Sequence, residues 1–169
     1  MPEESSSHDD RTPRWTLPPR REISPENLHI SSFVVASKDT EGGTKMILLL
    51  RAGEKHPLSF RRGRLMLPAT MVRYGEKPRE AARRAIIGQL SDASILRDPE
   101  FHSFQSYSGA HWDIVFLFQT SLASKDVSAV PKDPFVEAAF YDLSHLPRSE
   151  MAEDHLEVIE HMLQFPEGD

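Results

Sequence analysis

The chain of 169 residues is predicted to form one α/β domain, and three features of the sequence carry that expectation. Short apolar segments rich in β-branched residues recur along it, as buried strands do. Two longer segments place apolar residues three and four apart, the spacing of a helix that buries one face. Clusters of Gly, Pro, Asp and Ser separate the segments and supply the turns. The length suffices for a single hydrophobic core. Residues 1–22 are set apart as a flexible N-terminal tail, polar and punctuated by prolines, and 23–169 form the domain. Trp15 is out of character in that tail and is a candidate for docking on the domain or on a partner.

The chain enters the domain at Ser24-Pro25-Glu26. His29 to Ser37 and Lys45 to Arg51 read as buried strands joined by a hairpin-type loop from Asp39 to Thr44. Ala52 to Gly63 is an irregular surface loop. From Leu67 a short strand leads to a tight turn at Tyr74-Gly75-Glu76 and a helix that opens at Pro78, a residue favoured at the first helical position. Ala81, Ala82, Ala85, Ile86 and Leu90 form its buried face. Gly88 costs roughly 1 kcal/mol relative to Ala in a helix, so the last turn is expected to fray. Phe101 to Tyr107 and Trp112 to Ser121 read as paired strands around a turn at Ser108-Gly109-Ala110. The second alternates, with Trp112, Ile114, Phe116 and Phe118 on one face and Asp113, Val115, Leu117 and Gln119 on the other. Phe135 to Leu143 is a last strand. Met151 to Phe165 is an amphipathic helix, with a main stripe of Leu156, Ile159 and Leu163 and a second of Val158, Met162 and Phe165.

Composition narrows the class of function. No apolar run is long enough to span a membrane, and the first ten residues lack a signal core, so a cytoplasmic protein is expected. The absence of cysteine removes disulfides, thiolate metal sites and cysteine nucleophiles. Net charge is −6, but ten Lys and Arg against three acids between Arg51 and Arg84 give that segment +7. The remainder therefore carries −13, and a basic patch on an acidic body suggests an anionic partner for one face. Arginines paired with acids from elsewhere are the alternative.

The stretch from Leu67 to Ala93 resembles the signature box of the Nudix hydrolases. Leu67-Pro68 stand at the family's Leu/Phe-Pro, Ala69-Thr70 at its Gly-Gly, Glu76 at the first box Glu and Arg84 at the box Arg. The order of strands and helices is similar to the family's α/β/α sandwich, a mixed sheet between helices, over roughly residues 28–165. The resemblance implies that Arg84 holds Glu76 as a structural pair. It also implies that box glutamates hold Mg²⁺ or Mn²⁺ against a diphosphate. Here those positions are Ala85, Gly88 and Gln89, with Ser91 at the box Gly. Hard cations need carboxylate oxygens, so no metal or other cofactor is expected. Glu76 and Glu80 are the residual candidates for Mg²⁺ or Mn²⁺.

The expected function is therefore a catalytically degenerate Nudix-like domain that binds an anionic ligand or serves as a scaffold. That ligand would be a nucleotide, a nucleic acid or an acidic protein. Arg61, Arg62 and Arg64 around Gly63 are the foremost ligand-binding candidates, because guanidinium forks suit phosphate. Arg51 and Arg73 share the basic segment, and Trp112 belongs to an aromatic set with Phe104, Tyr107, Phe116 and Phe118 that is either core or a stacking surface. His102, His111 and Asp113 are a weaker transition-metal candidate. Asp133 and Glu137 fall where the resemblance places a general base in some members. A weak metal-dependent hydrolase of nucleoside diphosphate derivatives and a structural subunit of a complex are the alternatives.

Overall fold

Ten residues of one strand, Leu28 to Ser37, run parallel to Trp112–Ser121, and this ladder is the centre of a seven-stranded sheet in the computed structural model. The structure describes residues 27–108, 111–124 and 128–164. The expected tail with Trp15, the Ser24-Pro25-Glu26 turn, the Gly109-Ala110 tip and Phe165 lie outside them. The strands are β1 (Leu28–Asp39), β2 (Lys45–Ala52), β3 (Leu65–Met66), β4 (Ala69–Met71), β5 (Glu100–Ser108), β6 (Trp112–Ser121) and β7 (Phe135–Asp142). The helices are α1 (Pro78–Gln89) and α2 (Glu153–Gln164).

The sheet runs β3-β2-β1-β6-β5, with β4 added to β1 and β7 to β2. β1 and β2 pair only from Ser37 to Asp39. Beyond Ile47 they part, and the segment from Leu65 to Met71 fills the wedge, pairing with β2 through β3 and with β1 through β4. The sequence reading had one short strand here; a two-residue strand such as β3 is too short to carry a period of its own.

Parallel strands are normally covered on both faces, and this sheet has a core on each side. On the α1 side, Ala82, Ile86 and Leu90 pack with Val34, Leu48, Leu50, Ile95 and Phe118. On the α2 side, Val158, Ile159 and Met162 pack with Phe33, Val35, Leu49, Leu67 and Leu117. The two sets of alternating β6 residues thus reach different cores, giving the α/β/α sandwich. No helix among the described residues is long and apolar enough to cross a membrane.

Two expectations need correction. The last turn of α1 is intact: the Leu90 N–H donates to Ile86 O at 3.0 Å, and Lys132 meets the Gln89 and Ile87 carbonyls. Partners supplied by another segment offset the cost of Gly88. In α2 the buried stripe is His155, Val158, Ile159 and Met162. Leu163 is exposed and Leu156 half-buried, because the helix is rotated to bring His155 inward.

Gly53 marks a close approach of the loop to β7. Its N–H donates to Pro134 O at 2.8 Å, and a Cβ there would stand 2.6 Å from Val136 Cγ1 and 3.0 Å from Pro134 O. Val136 is exposed and can turn away, but the carbonyl cannot. Gly53→Ala is therefore expected to destabilise the domain by about 1–3 kcal/mol in urea unfolding, and adding Val136→Ala to recover only part of the loss.

Candidate functional site

The turn before α1 is built around Gly75, whose φ of +77° suits a residue without Cβ. It brings Glu76 back against the helix. Arg84 donates to that carboxylate in a two-bond fork, Nε to Oε1 at 2.8 Å and Nη2 to Oε2 at 2.9 Å. The same guanidinium donates to Thr70 Oγ1 at 3.1 Å and Met71 O at 2.7 Å, which ties β4 to the turn. Arg73 N–H adds a bond to Glu76 Oε2 at 2.8 Å. The Arg84 bonds, followed by the Arg73 amide, hold the Glu76 pKa down to about 2. Glu80 accepts from the Lys77 N–H at 3.1 Å, closing the first turn of α1.

The rest of α1 carries no anion. Ala85 is buried in the helix–sheet contact and Gly88 faces open space. Gln89 is stapled to β4: its Nε2 donates to Ala69 O at 2.7 Å and its Oε1 accepts from Ala69 N–H at 3.3 Å. An amide supplies both donor and acceptor, whereas a carboxylate only accepts. With Glu76 committed to Arg84 and Glu80 to the helix start, these residues do not fit a hard divalent cation. Among the described residues no three His, Asp or Glu side chains are grouped to hold a metal.

Across the sheet from α1, the opening between β1, β4, β6 and α2 is a cleft of about 230 Å³. Ala69, Thr70 and Met71 form one wall, His29 and Asp113 the rim, and Arg61, Asp154 and Glu157 the wall opposite. His29 Nδ1 lies 3.2 Å from Asp113 Oδ1. Arg61 Nη2 donates to Asp154 Oδ2 at 2.5 Å. Tyr107 donates to Gln105, and burial, with Glu157 nearby, pushes its phenol up to about 12.

Behind this wall sits His155, fully buried against the Phe33 ring. Leu67 N–H donates to its Nδ1 at 3.0 Å, so the neutral ring carries its proton on Nε2. That N–H faces Arg61 Nη1 at 3.2 Å, donor against donor. Arg61 Nε is also buried without a partner among the described residues. Arg61 is thus short of acceptors at the cleft wall. Burial, reinforced by the positive charge of Arg61, pushes the His155 pKa down to about 3.

The expected ligand-binding residues are not gathered in one place. Only Arg61 lines the cleft. Arg51 joins Glu137 at 2.7 Å, Glu150 at 2.8 Å and Gly63 O at 3.0 Å. Arg64 donates to Ser149 O at 2.7 Å and Arg62 to His56 O at 3.0 Å. The Arg73 backbone serves the Glu76 turn. Trp112 lies on the β6 face away from the cleft, its indole donating to Ser106 Oγ at 2.7 Å. Of the weaker candidates, His111 stacks on His29 at 4.7 Å, Glu137 is held by Arg51 and Tyr141, and Asp133 lies 3.4 Å from Lys55. Sequence reasoning missed Gln89 as a staple, and missed His29, Asp154, His155 and Glu157 at the cleft. For His155 a signal existed, since 155, 158, 159 and 162 share one helical face.

No protein-family model matches the sequence, and no curated protein is similar to it in sequence. Solved structures do match. A MutT protein from Methanosarcina mazei Go1 superposes with a TM-score of 0.60 at 15% identity, over 83% of this chain and 96% of that one. The NUDIX domain of Shewanella oneidensis NrtR, complexed with ADP ribose, gives 0.62 at 13% identity over 85% and 93%. A C. elegans Ap4A hydrolase gives 0.59 at 15% identity over 81% and 96%. The chain has the Nudix fold.

Two outcomes follow from this geometry. Gln89→Glu removes the donor to Ala69 O and is expected to cost about 1–3 kcal/mol in urea unfolding, whereas Gly88→Glu should gain up to about 1 kcal/mol. His155 titrates near 6.5 when unfolded and near 3 when folded, so the unfolded state binds more protons between those values. Its stabilisation is complete above pH 6.5 and is lost as pH falls toward 3. Between pH 7 and 5 the wild type should lose about 2 kcal/mol more than His155→Gln, whose amide oxygen can still accept from Leu67.

Proposed function

We propose that this chain is a nucleotide-binding module on the Nudix fold, holding its ligand in the cleft without a divalent cation on α1. The observation that carries this reading is the Gln89 staple: the helix face that would present carboxylates to a metal is spent on β4. A nucleotide suits the cleft because it combines anionic acceptors with hydroxyl and amino donors. Arg61 is short of acceptors, while Asp113 and Glu157 accept hydrogen bonds. The ADP-ribose complex of the Shewanella domain supports the same ligand class.

A second reading is a weak hydrolase of nucleoside diphosphate derivatives. Its support is that Asp113, Asp154 and Glu157 line the cleft, although the three are not grouped to hold a metal and Asp154 is paired with Arg61. Mg²⁺ or Mn²⁺ belongs to that reading alone. An acidic protein or a nucleic acid as the ligand has less support, because the arginines outside the cleft are engaged with backbone and carboxylates.

Thermal unfolding with ADP-ribose and dinucleotide polyphosphates, in EDTA and in Mg²⁺, separates the two. The binding module should be stabilised in EDTA, by about 2.7 kcal/mol at a hundredfold excess over Kd. Arg61→Ser should abolish the shift, and product release should stay at background with either metal. Stabilisation only with Mg²⁺, with turnover near 1 per second lost in Glu157→Gln, would establish the hydrolase instead.

A further inference from the structure

β5 is the last strand at its end of the sheet, and among the described residues it pairs with β6 alone. Edges are usually blunted by charged residues, proline, a bulge or a covering segment; β5 has a charge and a bulge only at its start, between Glu100 and Ser103. The nine residues Glu-Phe-His-Ser-Phe-Gln-Ser-Tyr-Ser contain no Lys, Arg or Pro. A bulge between Phe101 and Ser103 turns Phe101 onto the same face as Phe104. Both phenylalanines remain 57% exposed, touching Phe116 at ring distances of 6.5 and 6.0 Å. Trp112, 43% exposed, continues the patch. Helix α1 does not cover it, because α1 rests mainly on β1 and β4 and is tied at the rim by Arg83 to Asp98.

We propose that this edge and its aromatic face pair with a second copy of the chain, β5 against β5 in antiparallel register about Phe104. An antiparallel edge is its own complement under a two-fold axis. In that register Ser103 lies opposite Gln105 of the other copy; beyond Ser103 the bulge interrupts the ladder, and Glu100, the one formal charge on β5, falls at opposite ends of the pair, so no like charges meet. Phe104 meets its own counterpart on the open face, with the two Phe101 rings beside them. The exposed aromatic area is on the order of 300 Å² per copy. Together with two strand edges this approaches the roughly 1,000 Å² at which specific interfaces begin. An interface of that size belongs with weak, transient associations. Single-stranded nucleic acid, which also stacks on aromatic sheet faces, fits less well. β5 carries no cation, and Arg79 and Arg83 beside it are paired with Asp98.

Sedimentation velocity of the full chain from about 1 to 300 μM tests the proposal. The wild type should move from monomer to dimer across the series, and Phe104→Asp should weaken the association at least tenfold with an unchanged circular dichroism spectrum. Hydrogen exchange on the wild type gives a reading independent of any variant: amides of β5 should slow at the high concentration and those of β3 should not. A monomer throughout the series overturns the proposal, as does a dimer that survives Phe104→Asp or leaves β5 exchange unchanged. So does a monomer whose β5 amides slow only on adding oligo-dT, which would assign the face to nucleic acid. None of these outcomes depends on nucleotide binding in the cleft.

Discussion

The parallel ladder between β1 and β6 is the constraint on which the rest of the molecule depends. Parallel neighbours cannot be joined by a tight turn, so the chain must leave the sheet and return. Everything from β2 to β5, α1 included, is threaded between the two strands. The ladder also forces both faces to be covered, which is why residues one apart on β6, Leu117 and Phe118, belong to separate cores. Because β2 parts from β1 after Ile47, the inserted segment from Leu65 to Met71 must be fastened by something other than a long ladder. Short backbone ladders to β1 and β2 and single bonds such as Val34 N–H to Pro68 O hold it, and side chains add to them: Arg84 to Thr70 and Met71, Gln89 to Ala69, and His155 to Leu67.

That dependence gives the box residues a structural meaning of their own. Arg84 makes four hydrogen bonds, and two of them reach β4 rather than Glu76. Gln89 contributes a donor and an acceptor to the same short strand, where a glutamate would leave the Ala69 carbonyl facing a carboxylate. The neutral two-point bond gives β4 a fixed position at the wall of the cleft. His155 works from the other side. Its ring fills the contact with Phe33 while its Nδ1 satisfies an amide in the wedge, so α2 and the inserted segment are locked by one neutral side chain.

Local physics made much of the fold legible. Trp112 to Ser121 was bounded correctly because its alternation is clean at both ends, and α1 began where Pro78 requires. The Glu76–Arg84 pair was anticipated by the resemblance to the Nudix box and not by spacing alone. What stayed hidden depends on tertiary placement. The cleft draws His29, Asp113, Asp154 and Glu157 from three separate elements, and no spacing in the sequence links them. The orientation of α2 was misjudged because a leucine counts as apolar and a histidine does not. The Leu67 amide, available in the wedge, reverses that order by giving His155 a buried partner. Gln89 was read for the carboxylate it lacks, and its bond to Ala69 depends on where β4 lies.

The basic segment shows the same limit from the side of electrostatics. Its +7 charge suggested a free surface for anions, yet the acids that meet its arginines come mostly from outside the segment. Glu137 and Glu150 hold Arg51, Asp154 holds Arg61, and Asp98 holds Arg83 and Arg79. The acidic remainder is thus folded back onto the basic stretch, and each such pair is worth little by itself because most are partly exposed. Their geometry does more than their energy. Arg51 links β7 to the turn before α2, Arg61 links the 59–61 turn to α2, and Arg83 fixes α1 to the approach to β5. Arg61 differs from the others because, among the described residues, its buried Nε has no partner and its Nη1 is set against a ring nitrogen of buried His155. The part of that guanidinium that lines the cleft is shared with Asp154, so its position there owes more to the fold of α2 than to the +7 charge of the segment.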